Sequence, residues 1–388
     1  MRSLLLLLAL AWAPAWAQPL VLGAVLPQSG QLADLAADMH KALVLWQETR
    51  NAAGGLLGRR VELKLLDDRS EASASTRLYE QLIDAERAEL LIGPFGSAAS
   101  TSAAAVAERR RRVLVNATGV ARGVHRAGTR YVFQVPAPFA VYGEGALEIV
   151  RAMGYRRLHV AARNDPGSRE AAARLVERAA AAGLEPGPVE VVAAGASELA
   201  AQIAKARTRD AQAWIAFGQP EDAADMVKSF KRIGYAPWLF LAQGSAEPRF
   251  LKLVGRDAEY VLGISPYEPG FRTRGNREFV EAWRKRWSVD PGAIAATAYA
   301  AVLILEEAVR KAGSVDTERL RAALTELDSE TPIGRYRVDA GGMQTAAKPA
   351  VVQIRAGRRE IVWPEALATA KWRLPYPRWD ERQARAAQ

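Results

Sequence analysis

The stretch "LLIGPFGSAAST", Leu90 to Thr101, holds the residues best placed to do chemistry. An apolar run meets a Gly-Pro-Phe-Gly turn, and small hydroxyl residues follow where a helix would open. Such a junction aims unpaired backbone N–H groups and the Ser97 and Ser100 hydroxyls at whatever lies in front of it. Phosphate binding, a serine nucleophile and an anion grip without reaction all fit that outline. The phosphate loop is excluded by pattern: no Gly-Lys-Ser/Thr follows, and Gly93 with Gly96 does not make the dinucleotide fingerprint. A nucleophile elbow needs Gly-x-Ser-x-Gly, but Ala99 stands two places after Ser97, and no histidine is placed as its partner. An exported hydrolase using Ser97 would have to lose ester turnover in Ser97→Ala. An anion grip needs only the hydroxyls and the first N–H groups of the helix, where the dipole also favours negative charge. Ser97 can cap its own helix at the same time.

Other titratable residues offer less. Asp67-Asp68 closes a run at a strand end and reads as solvated or structural. His40, His125 and His159 lack metal-ligand spacing, and the absence of cysteine removes disulfides, thiolate metal sites and thiol catalysis. No cofactor and no metal is expected, and nothing in the chain argues for an enzyme.

The elements that must carry the grip alternate along the chain, as in parallel sheets covered by helices. The pattern predicts strands at Leu20–Pro27, "RRVELKLLDD", "AELLIG", "RVLVNATG" and "RYVFQVP". A helix is expected from Asp34 as its cap, with Leu35, Met39, Leu43 and Trp46 on one buried face and a glycine stop at "NAAGG". The pattern restarts at "RRLHVAARND", with helices over Glu170–Ala182 and Glu198–Thr208. "LLIGPFGS" and "AWIAFGQP" echo each other as a strand, a Phe-Gly pair and a polar helix entrance, which suggests two similar units with facing strand ends. One long helical region is expected from Asn276 to Ala312, then a hairpin around Ala356-Gly357 and a Pro-rich tail with Trp372 and Trp379 folded back.

Of the 388 residues, the first seventeen, "MRSLLLLLALAWAPAWA", read as a secretory leader cleaved after Ala17, which predicts an exported, periplasmic protein. The net charge of +10 is spread along the chain. Its densest run, "ERRRR" at Glu108–Arg112, ends an expected helix and complements the dipole there. Without interleaved aromatic residues it does not read as a nucleic-acid surface.

"NAAGGLLGRRVELKLLDDRSEASASTRLYEQLI" resembles, in order and spacing, a pattern of the branched-chain amino acid (Leu/Ile/Val-binding) type of ABC-transporter solute-binding proteins. "GAVLPQSGQLA", "SFKRIGYAPWLF" and "ATAYAAVLIL" are similar to further segments of that family. The resemblance implies the type 1 periplasmic-binding fold: α/β, two Rossmann-like lobes with parallel sheets, joined by a hinge of three crossings. It implies lobe one at 18–136 plus 268–333, lobe two at 137–267 plus 334–365, and a tail at 366–388. A small amino-acid-like or carboxylate solute would bind in the cleft and pass to the membrane permease, with the chain a monomer; a sensor working with a signalling partner is the alternative. Carried over by position, the carboxylate grip falls on Ser97 and the hydroxyl of the next loop on Thr118, with Phe95, Gln219 and Gln243 as further contacts. Where the family often has Tyr-Gly this chain has Pro166-Gly167, and where an acid commonly holds the ammonium it has Gln243. Either the solute lacks an α-amino group, or another acid such as Asp165 or Glu221 serves.

Overall fold

The computed structural model describes residues 18–126, 128–193 and 196–386; the expected leader and its cleavage point lie outside them. The chain runs β1 (Leu20–Leu26), α1 (Ala33–Ala52), β2 (Val61–Asp67), α2 (Ala74–Asp84), β3 (Leu90–Ile92), α3 (Ser97–Arg110), β4 (Leu114–Asn116) and β5 (Val132–Gln134). It crosses to α4 (Glu144–Ala152), β6 (Arg157–Arg163), α5 (Pro166–Ala181), β7 (Glu185–Val192), α6 (Ala196–Thr208), β8 (Ala213–Phe217), α7 (Pro220–Ile233), β9 (Leu239–Ala242), α8 (Pro248–Val254) and β10 (Leu262–Ser265). A second crossing leads to α9 (Asn276–Trp287), α10 (Ala293–Ala312), α11 (Thr317–Glu326), β11 (Ser329–Thr331) and β12 (Gly334–Tyr336). A third brings β13 (Ala350–Arg355) and β14 (Arg358–Trp363) back, before the tail helix α12 (Trp379–Ala386).

Two sheets result. The first, in order β2-β1-β3-β4-β5, is parallel throughout. The second, β14-β13-β10-β9-β8-β6-β7, is parallel from β10 to β7, and the predicted hairpin adds β13 and β14 antiparallel at its edge. Each sheet is covered on both faces, and side chains alternate between the two. Leu20, Leu22, Ala24 and Leu26 of β1 join the core under α1 and α10, whereas Val25 faces α2 and α3. On β8, Ala213, Ile215 and Phe217 face α4 and α5, while Trp214 and Ala216 face α6 and α7. The chain has the two-lobed α/β fold with three crossings. The first and third crossings are tied together: Gln134 N–H donates to the Gly342 carbonyl at 2.8 Å, and Gln344 Nε2 to the Val135 carbonyl at 3.0 Å.

Several local expectations are corrected. Asp34 lies in the first turn of α1 and makes no cap; Leu32 holds the cap position, without a side-chain bond. Met39, Leu43 and Trp46 are buried as expected, but Leu35, in the first turn of α1, is 60% exposed. The region from Asn276 is two helices, with Ser288 in the left-handed conformation ending the first and Pro291 in the break. Helix α5 begins four residues before Glu170, at Pro166, since Asp165 caps it. The arginine run pairs with its neighbour helix: Arg109 and Arg110 bridge to Glu80, and Arg110 also to Asp84 at 2.5 Å. In the tail, Trp379 Nε1 donates to the Tyr235 carbonyl at 2.8 Å, and Trp372 packs on the second lobe's core.

Candidate functional site

In an open parallel sheet the strand order reverses at a switch point, and the loops leaving the C-terminal strand ends diverge there to leave a crevice. Here the reversals fall between β1 and β3 in one sheet and between β6 and β8 in the other. The loop and helix start at Phe95–Ser97 follow β3; Asp165 and the first turns of α5 follow β6. The two regions meet. Arg122, in the short helical turn after β4, donates its backbone N–H to Glu170 Oε2 of α5 at 3.4 Å.

On the first lobe the geometry around Ser97 is closely knit. Gly96 takes φ +85°, which a glycine adopts without strain, and turns the chain into α3. Ser97 Oγ accepts from the Val120 and Ala121 N–H groups, both at 3.2 Å. Its own proton has no acceptor among the described residues, so it is available to an anion beside the helix N-terminus. Thr118 is used differently. Its Oγ1 donates to the Pro94 carbonyl at 2.8 Å and accepts from Gly96 N–H at 2.9 Å, so its proton is spent joining the two loops. Asn116 stabilises the same turn, accepting from Gly119 N–H at 2.9 Å and donating to the Gly119 carbonyl at 2.7 Å. Phe95 is half-buried and packs on the first lobe's core. Ser97 Oγ is thus a double acceptor from backbone, with no hydrogen bond to a histidine among the described residues.

On the second lobe the expected acids are already engaged. Asp165 accepts from Ser168 N–H at 2.9 Å and Ser168 Oγ at 2.7 Å, capping α5. Glu221 pairs with Arg249 at 2.8 Å near the surface. Gln219 is exposed at the start of α7, its N–H donating to Asp222 at 2.8 Å. Gln243 follows β9, and its Oε1 is buried without a partner among the described residues. The same holds for Glu170 Oε1. No group of three or more His, Cys, Asp or Glu residues that could hold a metal ion occurs among the described residues.

Two residues were missed by sequence reasoning. Leu35 is an exposed large apolar side chain on the loop–helix junction after β1, beside the switch point. Its helical spacing with Met39 argued for the core, and nothing local signals otherwise. Glu170 was read only as a helix start, since an acid in a first turn is ordinary in sequence. Only the contact with Arg122, 48 positions away, singles it out.

Comparison with known proteins decides the family, whose model, "Periplasmic binding protein", matches residues 19–359. The chain belongs to the periplasmic binding protein family. This binding protein is 23% identical over 386 residues to the Leu/Ile/Val-binding protein homolog 7 of Brucella abortus (strain 2308), covering 94% of this chain and 96% of that one. In structure it is similar to an ABC transporter substrate-binding protein from Desulfitobacterium hafniense in complex with Leu, with a TM-score of 0.76, 20% identity, and coverage of 89% and 100% of the two chains. It is also similar to a solute binding protein of an ABC transporter from Rhodopseudomonas palustris BisB5 in complex with 3,4-dihydroxy benzoic acid, with a TM-score of 0.72, 18% identity, and coverage of 94% and 99%. The family is a solute-binding rather than an enzyme class, and no helix among the described residues is long and apolar enough to cross a membrane.

Proposed function

We propose that this periplasmic binding protein is the extracytoplasmic receptor of an ABC importer, binding a small amino-acid-like or carboxylate solute in the inter-lobe cleft and delivering it to the membrane permease. The carrying observation is the Ser97 hydroxyl, held by two backbone N–H groups with its proton unspent, at the N-terminus of α3. A carboxylate there receives one O–H donor, the first N–H groups of the helix and the favourable end of its dipole. Gln219 and Gln243 stand on the opposite strand ends. In this reading the lobes comprise 18–136 plus 268–333 and 137–267 plus 334–365, and the solute favours the closed arrangement because only that state offers both walls.

The test is a thermal-shift screen of the purified protein across amino acids, amides and aromatic and aliphatic acids. A solute at a hundred times its Kd stabilises the native state by about 2.7 kcal/mol, a shift of a few degrees. Ser97→Ala is expected to cut the shift to about half or less at the same concentration. A screen in which no acid or amino acid raises the melting temperature would sink the reading.

A further inference from the structure

A cavity lies at the end of the second lobe away from the cleft. Trp238 immediately precedes β9 and Tyr260 lies two residues before β10, so both stand at the N-terminal ends of parallel strands. Gln243, at the other end of β9, is on the cleft side. The tail segment "KWRLPYPR", Lys371 to Arg378, runs beside Trp238 and Tyr260. Lys371, Arg373 and Pro375 are exposed, Trp372 and Leu374 are half-buried and Tyr376 is buried. That alternation is the mark of an extended strap with one face on the lobe. Two fastenings hold it. Gln353 donates from Nε2 to the Arg373 carbonyl at 2.9 Å and accepts at Oε1 from Arg373 N–H at 2.8 Å. Tyr376 N–H donates to the Trp238 carbonyl at 2.7 Å. Between strap and lobe is a cavity of about 790 Å³, within the usual range for a small-molecule site.

Two features of its lining have no use within the fold. Trp238 is 52% exposed, yet its ring is braced edge-on by Tyr155 at 5.5 Å, so a flat apolar surface is held open to solvent. The Arg373 side chain lines the same cavity and has no partner among the described residues. Arg378 has only Asp380 at 3.4 Å, in a largely exposed pair that holds little. Glu381 is the one acid on the lining, against these two guanidinium groups. A ligand that uses both features carries a flat ring and an anionic end. An indole gains most from another aromatic ring, and a guanidinium receives a carboxylate through two parallel hydrogen bonds. We propose that this cavity is a second binding site, for a planar aromatic carboxylate whose ring lies against Trp238 and whose acid rests on Arg373. Every lining residue comes from the lobe of the second sheet or from the tail, so the site is independent of the cleft and of the reading given for it. Its walls are already tied to each other, so its occupancy does not call for lobe closure.

Calorimetry on the purified protein tests this with indole-3-acetate and its uncharged amide. The acid should bind with a Kd below about 1 mM, and the amide roughly 10-fold or more weaker. Trp238→Ala and Arg373→Gln should each weaken the acid roughly 10-fold or more. Arg373→Gln should keep the unliganded melting temperature, since Arg373 serves the fold through its backbone alone. Ser97→Ala should leave the affinity for the acid as it is. No binding of the acid, equal binding of acid and amide, or an affinity that survives both lining substitutions overturns the assignment. Loss of binding in Ser97→Ala would place the acid in the cleft and overturn it too.

Discussion

Ser97 and Thr118 share a chemistry in sequence and divide it in the structure by where each hydroxyl proton goes. Thr118→Val deletes two hydrogen bonds between loops and leaves the Gly96 N–H and the Pro94 carbonyl short of a partner. Its expected signature is a stability loss of about 1–3 kcal/mol in denaturant unfolding, with a smaller effect on affinity. Ser97→Ala should show the reverse weighting, losing roughly 10–100-fold in affinity with a modest change in stability. A Thr118 variant with normal unfolding and lost binding would reverse these roles. His159 offers a residue-scale pH test. Its ring stacks on Trp214 at 3.9 Å, and burial lowers its pKa to about 4, with Lys205 and Arg209 adding to the effect and Glu190 opposing it. The unfolded chain takes up this proton near pH 6.5, before the native one does, so stability is complete above that pH and is lost as pH falls toward 4. His159→Phe should flatten the decline in melting temperature between pH 7 and pH 4.5, a difference worth up to about 3 kcal/mol. Parallel curves for the two proteins would refute it.

At the scale of elements, the joints are the vulnerable points. Gly342 lies in the third crossing with φ +78°, and a Cβ there would sit 1.9 Å from the Val132 carbonyl at the end of the first sheet. Gly342→Ala must therefore separate the crossings held by the Gln134 hydrogen bond, and a loss of more than about 3 kcal/mol is expected in equilibrium unfolding. The second crossing is anchored by Glu268, nearly buried, which pairs with Arg359 of β14 through two nitrogens at 3.0–3.2 Å. Burial raises the Glu268 carboxyl and Arg359 pulls it back down. Arg359→Met leaves that carboxylate uncompensated and should cost about 3 kcal/mol, whereas the double variant with Glu268→Leu should recover much of it. No recovery in the double variant would mean the pair matters through shape rather than charge. Asp165→Ala, which removes the cap of α5, should cost about 1 kcal/mol.

For the whole molecule, two covered sheets joined by three adjacent crossings make a hinge whose closure costs little covalent distortion. A solute that contacts both lobes favours the closed state only by its differential affinity for it. Small-angle scattering with and without a saturating solute should show a smaller radius of gyration in its presence. An unchanged radius at saturation would mean that the unliganded protein is already closed.

The alternation of apolar strands with helical segments settled the fold class, because periodicity 2 and periodicity 3.6 are local properties of the chain. Resemblance carried the hinge count and pointed to Ser97, since the Gly-Pro-Phe-Gly turn and the α3 start are local too. Leu35 shows the limit. Its spacing with Met39 is that of a buried face, yet it is exposed in the first turn of α1. Thr118 and Ser97 look equivalent until the loops after β3 and β4 are brought together. Glu170 is an ordinary helix acid in sequence, and only the structure brings the Arg122 N–H to it from the other lobe. The sequence by itself determined which elements form and which turn carries small hydroxyls into a helix start. Tertiary structure alone decided which hydroxyl keeps its proton, which apolar residue faces outward and which acid meets the loop after β4, because each depends on groups that meet only once distant segments are packed.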